Sequence, residues 1–244
     1  SRGIGAAAAR RLASPARELV LMARTEADLQ ARCREVRARG GHARAVAVDL
    51  SEAAGLEAAM AAIGRAPLDG LILNAGVANG RAFRDVDRAA IQREMDLNYL
   101  APAALLRAAL PGMIARRRGR VVVVGSLTSM IPFPGNASYT ASKAALLSLV
   151  RSVRMELRGS GVHLGVVLPG YTRTRMTEGI RSPVPPMAPE RVADAIARCY
   201  ERRKTLVVPG LLNRVVARLF MIFPQTSDRL LMRMSRLVLP TQAS

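Results

Sequence analysis

Aromatic residues are scarce in this 244-residue sequence, which has no tryptophan, four tyrosines and four phenylalanines. Aliphatic side chains therefore have to build the core, since hydrophobic residues still make up 50% of the chain. Proteins that bind single-stranded nucleic acids stack the bases on exposed aromatic rings. Because rings are few and no nucleic-acid-binding motif is present, we expect no nucleic acid partner.

Cysteine and histidine are also rare, with two residues of each type. Cys33 and Cys199 cannot build a disulfide framework, which favours a reducing compartment. His42 and His163 lie outside every motif described below, and no cluster of metal-ligating residues occurs, so we expect no metal site. The sequence contains neither a signal peptide nor an apolar run of about 18 residues. We therefore expect a cytoplasmic protein.

Acidic residues are few beside basic ones, and the formal net charge is +19. One interpretation is an anionic partner, such as a nucleic acid, a membrane surface or a phosphorylated ligand. The other is a genome that favours Arg and Ala codons, and we prefer this one. Lys143 and Lys204 are the only lysines of the chain, so a lysine within a motif is notable.

Short apolar runs alternate with longer helical stretches along the chain. The apolar runs, which we predict to be strands, cover residues 18–23, 43–48, 69–74, 120–126, 162–168 and 205–208. The helices are predicted at 25–39, 52–65, 86–116, 138–159 and 189–202. Near-continuous Val, Leu, Ile and Ala is typical of strands that are covered on both faces. The alternation predicts an α/β fold, a doubly wound parallel sheet between two helical layers, in one domain over residues 1–209.

Tyr139 and Lys143 are four residues apart in Tyr-Thr-Ala-Ser-Lys, and Ser126 precedes the tyrosine by thirteen residues. Four residues make about one helical turn, so the phenol and the ammonium project from the same face. The strand predicted at 120–126 delivers its serine at the carboxyl end. A nearby Lys⁺ favours phenolate, so we expect a lowered tyrosine pKa that suits acid–base chemistry near neutrality. The alternative is an ordinary surface Tyr–Lys pair.

Four further segments occur in a fixed order around this trio. They are Ser1-Arg2-Gly3-Ile4-Gly5 before an Ala-rich helix, Asn74-Ala75-Gly76 after a strand, Asn98 in Met-Asp-Leu-Asn-Tyr, and Leu168-Pro169-Gly170-Tyr171-Thr172-Arg173-Thr174 after another strand. Together these motifs strongly resemble the short-chain dehydrogenase/reductase family. The resemblance covers residues 1 to about 174, and the strand–helix alternation continues to about residue 209.

The resemblance implies a Rossmann-type sheet with strand order 3-2-1-4-5-6-7 and a hydride transfer between a nicotinamide cofactor and a carbonyl or alcohol. Tyr139 would be the general acid in ketone reduction and the base in alcohol oxidation. Ser126 would hydrogen-bond the substrate oxygen, and Lys143 would lower the tyrosine pKa and bind the nicotinamide ribose. Asn98 would hold a water that links Lys143 to solvent.

The cofactor residues that the resemblance implies are spread over the same motifs. They are Ser1, Arg2, Gly3, Ile4 and Gly5 at the pyrophosphate, Arg24 at the adenosine ribose, Asp49 and Leu50 at adenine, Asn74, Ala75 and Gly76 at the ribose side, and Pro169, Gly170, Thr172 and Thr174 at the nicotinamide, together with Tyr139 and Lys143. An NAD-preferring site places an acidic residue after the second strand, where this chain has Arg24. Guanidinium groups match a 2′-phosphate. We therefore expect NADP(H), with NAD(H) as the second candidate.

The start of the sequence departs from the family pattern, because no strand and no first glycine precede Ser1. In the family, that strand lies in the middle of the sheet, between the strands predicted at 18–23 and 69–74. We therefore expect two rows of unpaired backbone groups and interpret the sequence as a piece of a longer chain. The alternative is a genuinely shortened variant.

Residues 210–244 form a C-terminal extension that departs from the commonest family ending. Segment 211–239 predicts two basic amphipathic helices, one with apolar residues from Leu211 to Phe220 and one beginning near Ser227. They can cover a pocket for a bulky apolar ketone, join subunits of a dimer or tetramer, or lie on an anionic membrane surface. We expect segment 171–188 to cover the pocket of a hydrophobic ketone or secondary alcohol. The competing functions are a cofactor-sensing binding protein without turnover and a peripheral membrane protein.

Overall fold

A computed structural model describes residues 2–64, 67–178 and 184–222, together with residues 229 and 232. The strands are β1 (Glu18–Ala23), β2 (His42–Ala47), β3 (Gly70–Leu73), β4 (Gly119–Val124), β5 (Val162–Val167) and β6 (Leu206–Val207). The helices are α1 (Gly3–Leu12), α2 (Glu26–Arg37), α3 (Ala53–Gly64), α4 (Arg88–Met95), α5 (Ala101–Ala115), α6 (Ala137–Glu156), α7 (Pro189–Glu201) and α8 (Leu211–Ile222). The predicted α/β alternation is thus confirmed.

All strands pair in parallel, in two groups. β1 pairs with β2, and β3, β4, β5 and β6 follow one another in chain order. Within the described ranges, β1 and β3 each lack a partner on one side. The order agrees with the expected one apart from the strand that we expected to be missing between β1 and β3. Residues 19–23 of β1 and 70–72 of β3 are only partly buried, although central strands of such a sheet are normally covered.

Helices cover both faces of the strands, which confirms the three-layer Rossmann-type architecture. Strand β4 shows why its apolar run is continuous, because alternate side chains point to opposite faces. Val121 and Val123 pack with α3, α5 and α6 in the larger core, whereas Val122 and Val124 pack with α1 and α7 on the other face. Helix α1 also contacts Leu19 of β1 in that second core, so the described fold is held together across the β1–β3 gap by helix packing.

One predicted helix is interrupted. The stretch predicted as a single helix over 86–116 consists of a 3₁₀ turn at Phe83–Asp85, α4, a π-helical turn at Asp96–Leu100, and α5. Asp87 is the N-cap of α4, and its carboxylate accepts a hydrogen bond from the Ala90 N–H. This cap fixes where α4 begins. The prediction of one uninterrupted helix over 86–116 is therefore wrong at these two turns.

The described part of the C-terminal extension is α8. The second predicted helix, near Ser227, lies outside the described residues except for Arg229 and Met232. Along the part of the chain that the structure describes, no helix is long and apolar enough to cross a membrane. Cys33 and Cys199 are both buried as free thiols.

Candidate active site

A cavity of about 100 Å³ opens where the carboxyl ends of β3, β4 and β5 meet the start of α1 and the first turns of α6. It is lined by Ile4, Asn74, Gly76, Val124, Gly125, Ser126, Tyr139, Lys143, Pro169, Gly170, Thr172, Thr174, Met176 and Thr177. Ten of these residues are ones that the sequence nominated. The cavity therefore brings together segments that are separated by as many as 170 residues of sequence.

Helix α6 presents Tyr139 and Lys143 to this cavity from one face, as their spacing predicts. The Lys143 Nζ lies 5.9 Å from the centre of the Tyr139 ring and donates a long hydrogen bond of 3.4 Å to the Val124 carbonyl. Ser126 comes two residues after β4, rather than at its last position, and it caps a short 3₁₀ turn at Leu127–Ser129. Lys143 is 3% exposed, so its ammonium is almost entirely removed from solvent.

The pKa values of the pair follow from this burial. Burial raises the pKa of Tyr139 above its usual value of 10.0, a hydrogen bond with Ser126 opposes that rise, and the charge of Glu94 adds to it. Burial also lowers the pKa of Lys143 to about 8. The expected lowering of the tyrosine pKa by Lys143 is therefore wrong for this structure. The loss of hydration around the buried phenol is the main cause of its raised pKa, and the lysine ammonium lies nearly 6 Å from the ring.

Asn98 lies at the centre of the π turn and is completely buried. Its Oδ1 accepts the Val77 N–H at 2.9 Å, and its Nδ2 donates to the Val77 carbonyl at 2.9 Å and to the Ser142 Oγ at 3.0 Å. Asn98 thus clamps the segment after Asn74-Ala75-Gly76 onto α6. The widened turn directs the Asn98 side chain into the protein interior. π-Helical turns frequently occur at functional sites.

Three glycines around the cavity hold positions where a side chain would not fit. A Cβ at Gly76 would lie 2.9 Å from the Asn98 Oδ1 and 3.2 Å from the Lys143 Nζ. A Cβ at Gly5 would lie 3.0 Å from the Asn74 Nδ2. Gly3 has a φ of +52°, a left-handed conformation, and a Cβ there would lie 3.1 Å from the Thr174 methyl group. The start of α1 is therefore bare backbone that faces the cavity.

Threonine hydroxyls hold the segment that follows β5. Thr172 donates to the Gly170 carbonyl, and Thr177 donates to the Thr172 carbonyl at 2.6 Å. Thr174 and Thr177 complete a capping box around a 3₁₀ turn at Arg175–Thr177. The main chain of residues 171–173 pairs with Met187, which ties both ends of the segment expected to cover the cavity. Residues 179–183 of that segment lie outside the described ranges.

The two arginines expected at the 2′-phosphate are each paired with a carboxylate. The Arg2 Nε donates to Asp28 at 2.8 Å beside a second cavity of about 340 Å³, which is also lined by Gly3, Arg10 and Arg32. Arg24 is exposed, and its guanidinium lies 3.9 Å from the Asp49 carboxylate. Burial would raise the Asp49 pKa, but hydrogen bonds from Ser51 and the charge of Arg24 lower it.

Some nominated residues do not line either cavity. Leu50 packs against the larger core and Ala75 is exposed, whereas Ser1 lies outside the described residues. Sequence reasoning missed Glu94, which is 2% exposed and contacts the loop that Asn98 clamps. The only signal was its position one turn before Asn98, on the same face of a helix otherwise rich in arginine.

The comparisons with known proteins agree with this geometry. The profile of the short chain dehydrogenase family matches residues 1–185. The ketoacyl reductase HetN of Nostoc sp. is 34% identical over 245 residues, which cover 94% of this chain and 85% of that protein. A short-chain dehydrogenase from Sphingobium yanoikuyae, solved in complex with NADPH, superposes with a TM-score of 0.83 at 30% identity, covering 100% of this chain and 95% of that one.

A bulky-bulky ketone specific alcohol dehydrogenase from Comamonas testosteroni superposes with a TM-score of 0.80 at 26% identity, covering 100% of this chain and 93% of that one. The family profile spans most of the chain, and it includes every residue that the sequence placed in the site. The chain therefore belongs to the short-chain dehydrogenase/reductase family.

Proposed function

We propose that this NAD(P)-dependent oxidoreductase interconverts a hydrophobic ketone and its secondary alcohol with NADP(H), and that Tyr139 is its acid/base. The observation that carries the proposal is the convergence of Tyr139, Lys143 and Ser126 on one small cavity beside the bare start of α1. A phenol that keeps its proton can donate it to a carbonyl oxygen, and the Ser126 hydroxyl can hold that oxygen in reach.

The residues present fit a dinucleotide. The N–H groups at the start of α1 favour the pyrophosphate, and the glycines at 3, 5 and 76 leave room for its close approach. When bound, the nicotinamide supplies the hydride, while the protein supplies orientation and the proton. Lys143 is placed to bind a ribose hydroxyl from the floor of the cavity. The NADPH complex of the Sphingobium relative supports the same class of ligand here.

Preference for NADP(H) rests on the cations near the adenosine end. The residue directly after β1 is Arg24 rather than a carboxylate, and Arg2 lies at the helix start. A 2′-phosphate can replace Asp49 as the partner of Arg24, because the present contact of 3.9 Å is long and exposed. Arg24 would gain a charge-assisted hydrogen bond to the phosphate. Its loss of Asp49 would leave no buried charge unpaired, because this ion pair is exposed.

Hydrophobic substrates are favoured by the wall of the cavity. Ile4, Val124 and Met176 supply apolar surface to the same cavity. The ketone-specific relative from Comamonas testosteroni supports a ketone of this type. We further propose that the protein works as a homo-oligomer, with α8 at the interface, since its outward apolar residues are exposed in one chain. A location in the cytoplasm stays a prediction.

Replacing the phenol alone tests the proposal. Tyr139→Phe should lower turnover about 10²–10⁴-fold, because the transferable proton is lost, while the affinity for NADPH stays nearly unchanged. Oxidation of NADPH with ketones of increasing bulk and fluorescence titration of NADPH measure the two quantities. Tyr200→Phe is the matched control, since its ring packs between Arg17 and Arg120 far from the cavity. Turnover of Tyr139→Phe within threefold of wild type would contradict the acid/base assignment. Absence of turnover in wild type as well as in Tyr139→Phe would favour a cofactor-sensing protein.

A further inference from the structure

A buried carboxylate lies outside the catalytic trio. Glu94, in the last turn of α4, is 2% exposed. Its Oε1 accepts the Asn79 N–H at 2.7 Å. Its Oε2 is buried and makes no hydrogen bond to any residue that the structure describes. An acidic side chain with an unpaired buried oxygen is costly to keep, so its position calls for a reason beyond packing.

The contacts of Glu94 lead to the catalytic helix. Asn79, held by Glu94 through its N–H, donates from its Nδ2 to the Ser138 Oγ at 3.3 Å. Ser138 is buried and directly precedes Tyr139 in the first turn of α6. Helix α4 packs on α6, and the free N–H groups at the start of α6 favour a negative charge close by.

Glu94 and Asn98 are four residues apart and act on the same loop. Asn98 binds both main-chain groups of Val77, and Glu94 binds the main chain two residues further on, at Asn79. The loop after Gly76, which borders the cavity, is thus fixed at two points to one continuous helical stretch. Losing either point would free the wall of the site next to Lys143.

We propose that Glu94 is a positioning residue, which holds the Val77–Asn79 loop against α6 and brings a carboxylate to the start of that helix, where Tyr139 lies. Ser126, after β4, hydrogen-bonds this phenol, and the charge of Glu94 in α4 acts on it. The Lys143 ammonium, from α6, lies 5.9 Å from the centre of its ring. Burial and the charge of Glu94 favour the neutral phenol, and the hydrogen bond with Ser126 opposes them. The inference rests on the proposed acid/base role of Tyr139.

The consequence for the reaction concerns its pH range. Carbonyl reduction needs the protonated phenol, whereas alcohol oxidation needs the phenolate. A negative charge beside the phenol raises its pKa, as found here for Glu94. Glu94 thereby extends reduction to higher pH at the expense of oxidation.

Two variants separate the hydrogen bond from the charge. Glu94→Gln keeps an oxygen that can accept the Asn79 N–H but carries no charge. We expect its KM to stay near that of wild type, while the inflection of kcat/KM moves to lower pH in both reaction directions. Glu94→Ala loses both contributions, so the same inflection should move and KM should also rise about tenfold. Glu156→Gln, which removes an exposed carboxylate at the far end of α6, should change neither quantity.

A direct titration keeps this inference separate from the proposed function. The chain has four tyrosines, so the ultraviolet difference between a protein and its Tyr139→Phe counterpart reports the Tyr139 phenolate without any turnover. We expect this titration to lie at lower pH in Glu94→Gln than in wild type. An unchanged titration in a Glu94→Gln protein with wild-type melting temperature would overturn the inference. A shifted titration combined with full activity of Tyr139→Phe would overturn only the acid/base assignment.

Discussion

Burial, more than proximity, sets the chemistry of the individual side chains in this site. The Lys143 ammonium lies nearly 6 Å from the centre of the Tyr139 ring. It donates a hydrogen bond to the main-chain carbonyl of Val124. A buried ammonium without a carboxylate partner is disfavoured, which explains why its pKa falls to about 8. In the cofactor-free protein, neutral Lys143 and neutral Tyr139 therefore coexist above about pH 8.

This lysine should make the cofactor-free protein more stable as the pH rises. Between about pH 8 and 10.5 the unfolded chain binds a proton at Lys143 that the folded chain does not, so stability rises over that window. The gain is roughly 3 kcal/mol across the whole window. The raised pKa of Tyr139 keeps the phenol neutral there. Urea unfolding at about pH 7.5 and 9.5 should show this rise in wild type and not in Lys143→Met.

The chain offers a matched control for this measurement. Lys204 is the only other lysine and is exposed, so Lys204→Met should retain the pH dependence of wild type. Equal pH dependence in wild type and Lys143→Met would show that the buried lysine stays charged in the folded protein.

Residue spacing predicted much of this site, but only where a residue type is itself informative. Tyr139 and Lys143 were found because one helical turn separates them and lysine is nearly absent elsewhere. Glu94 was not, because a glutamate among arginines in a helix is typical of a solvated face. Its burial depends on how α4 packs against α6, which no local pattern records. The direction of the Tyr139 pKa was missed for the same reason.

At the scale of the elements, apolar runs identified the strands because both faces of the sheet are covered. The valines of β4 are all apolar because they alternate between two cores. Val121 and Val123 face the larger core, and Val122 and Val124 face the other one. The ends of the strands were less predictable. Strand β4 ends at Val124, since Ser126 leaves the ladder to cap a 3₁₀ turn. The π turn at Asp96–Leu100 was also missed, because the buried Asn98 at its centre is held by contacts with Val77 and Ser142 that are distant in sequence.

The unpaired edges of β1 and β3 predict a gain from an added strand. We expect an N-terminal extension of about ten residues, with a Val-rich strand followed by Thr-Gly-Ala, to pair with both edges. Each hydrogen bond contributes about 0.5–1.5 kcal/mol. Several such bonds should raise the melting temperature by about 5–10 °C in a protein of this size. The same extension should tighten NADPH binding, since its Thr-Gly-Ala would add backbone N–H groups beside the start of α1.

An extension of the same length with alternating prolines is the control, because proline cannot donate to a ladder. Thermal unfolding followed by circular dichroism, with and without NADPH, measures both effects. Equal melting temperatures for the two extensions would mean that the β1 and β3 edges do not accept a strand.

Arginines and an apolar stripe on α8 are prominent on the surface that the structure describes. Leu211, Val215, Leu219 and Ile222 follow one another at helical spacing on α8, and they are 70%, 46%, 49% and 65% exposed. The opposite side of α8 contacts the site, because Ala217 is buried and a Cβ at Gly170 would lie 2.6 Å from Asn213. A helix that lies on the loop at Gly170 and exposes leucines outward is suited to join two subunits near this cavity.

We therefore expect charges on this stripe to change the number of subunits. Leu211→Glu combined with Leu219→Glu should shift the sedimentation coefficient to that of a smaller species, because two carboxylates cannot be buried at an apolar interface. NADPH affinity should fall at the same time, since α8 supports the loop at Gly170. Met155→Glu, at a residue of α6 that is 72% exposed, is the matched control and should leave both unchanged. An unchanged sedimentation coefficient together with lost binding to anionic vesicles would instead assign the stripe to a membrane surface, where arginines 214 and 218 would contact lipid headgroups.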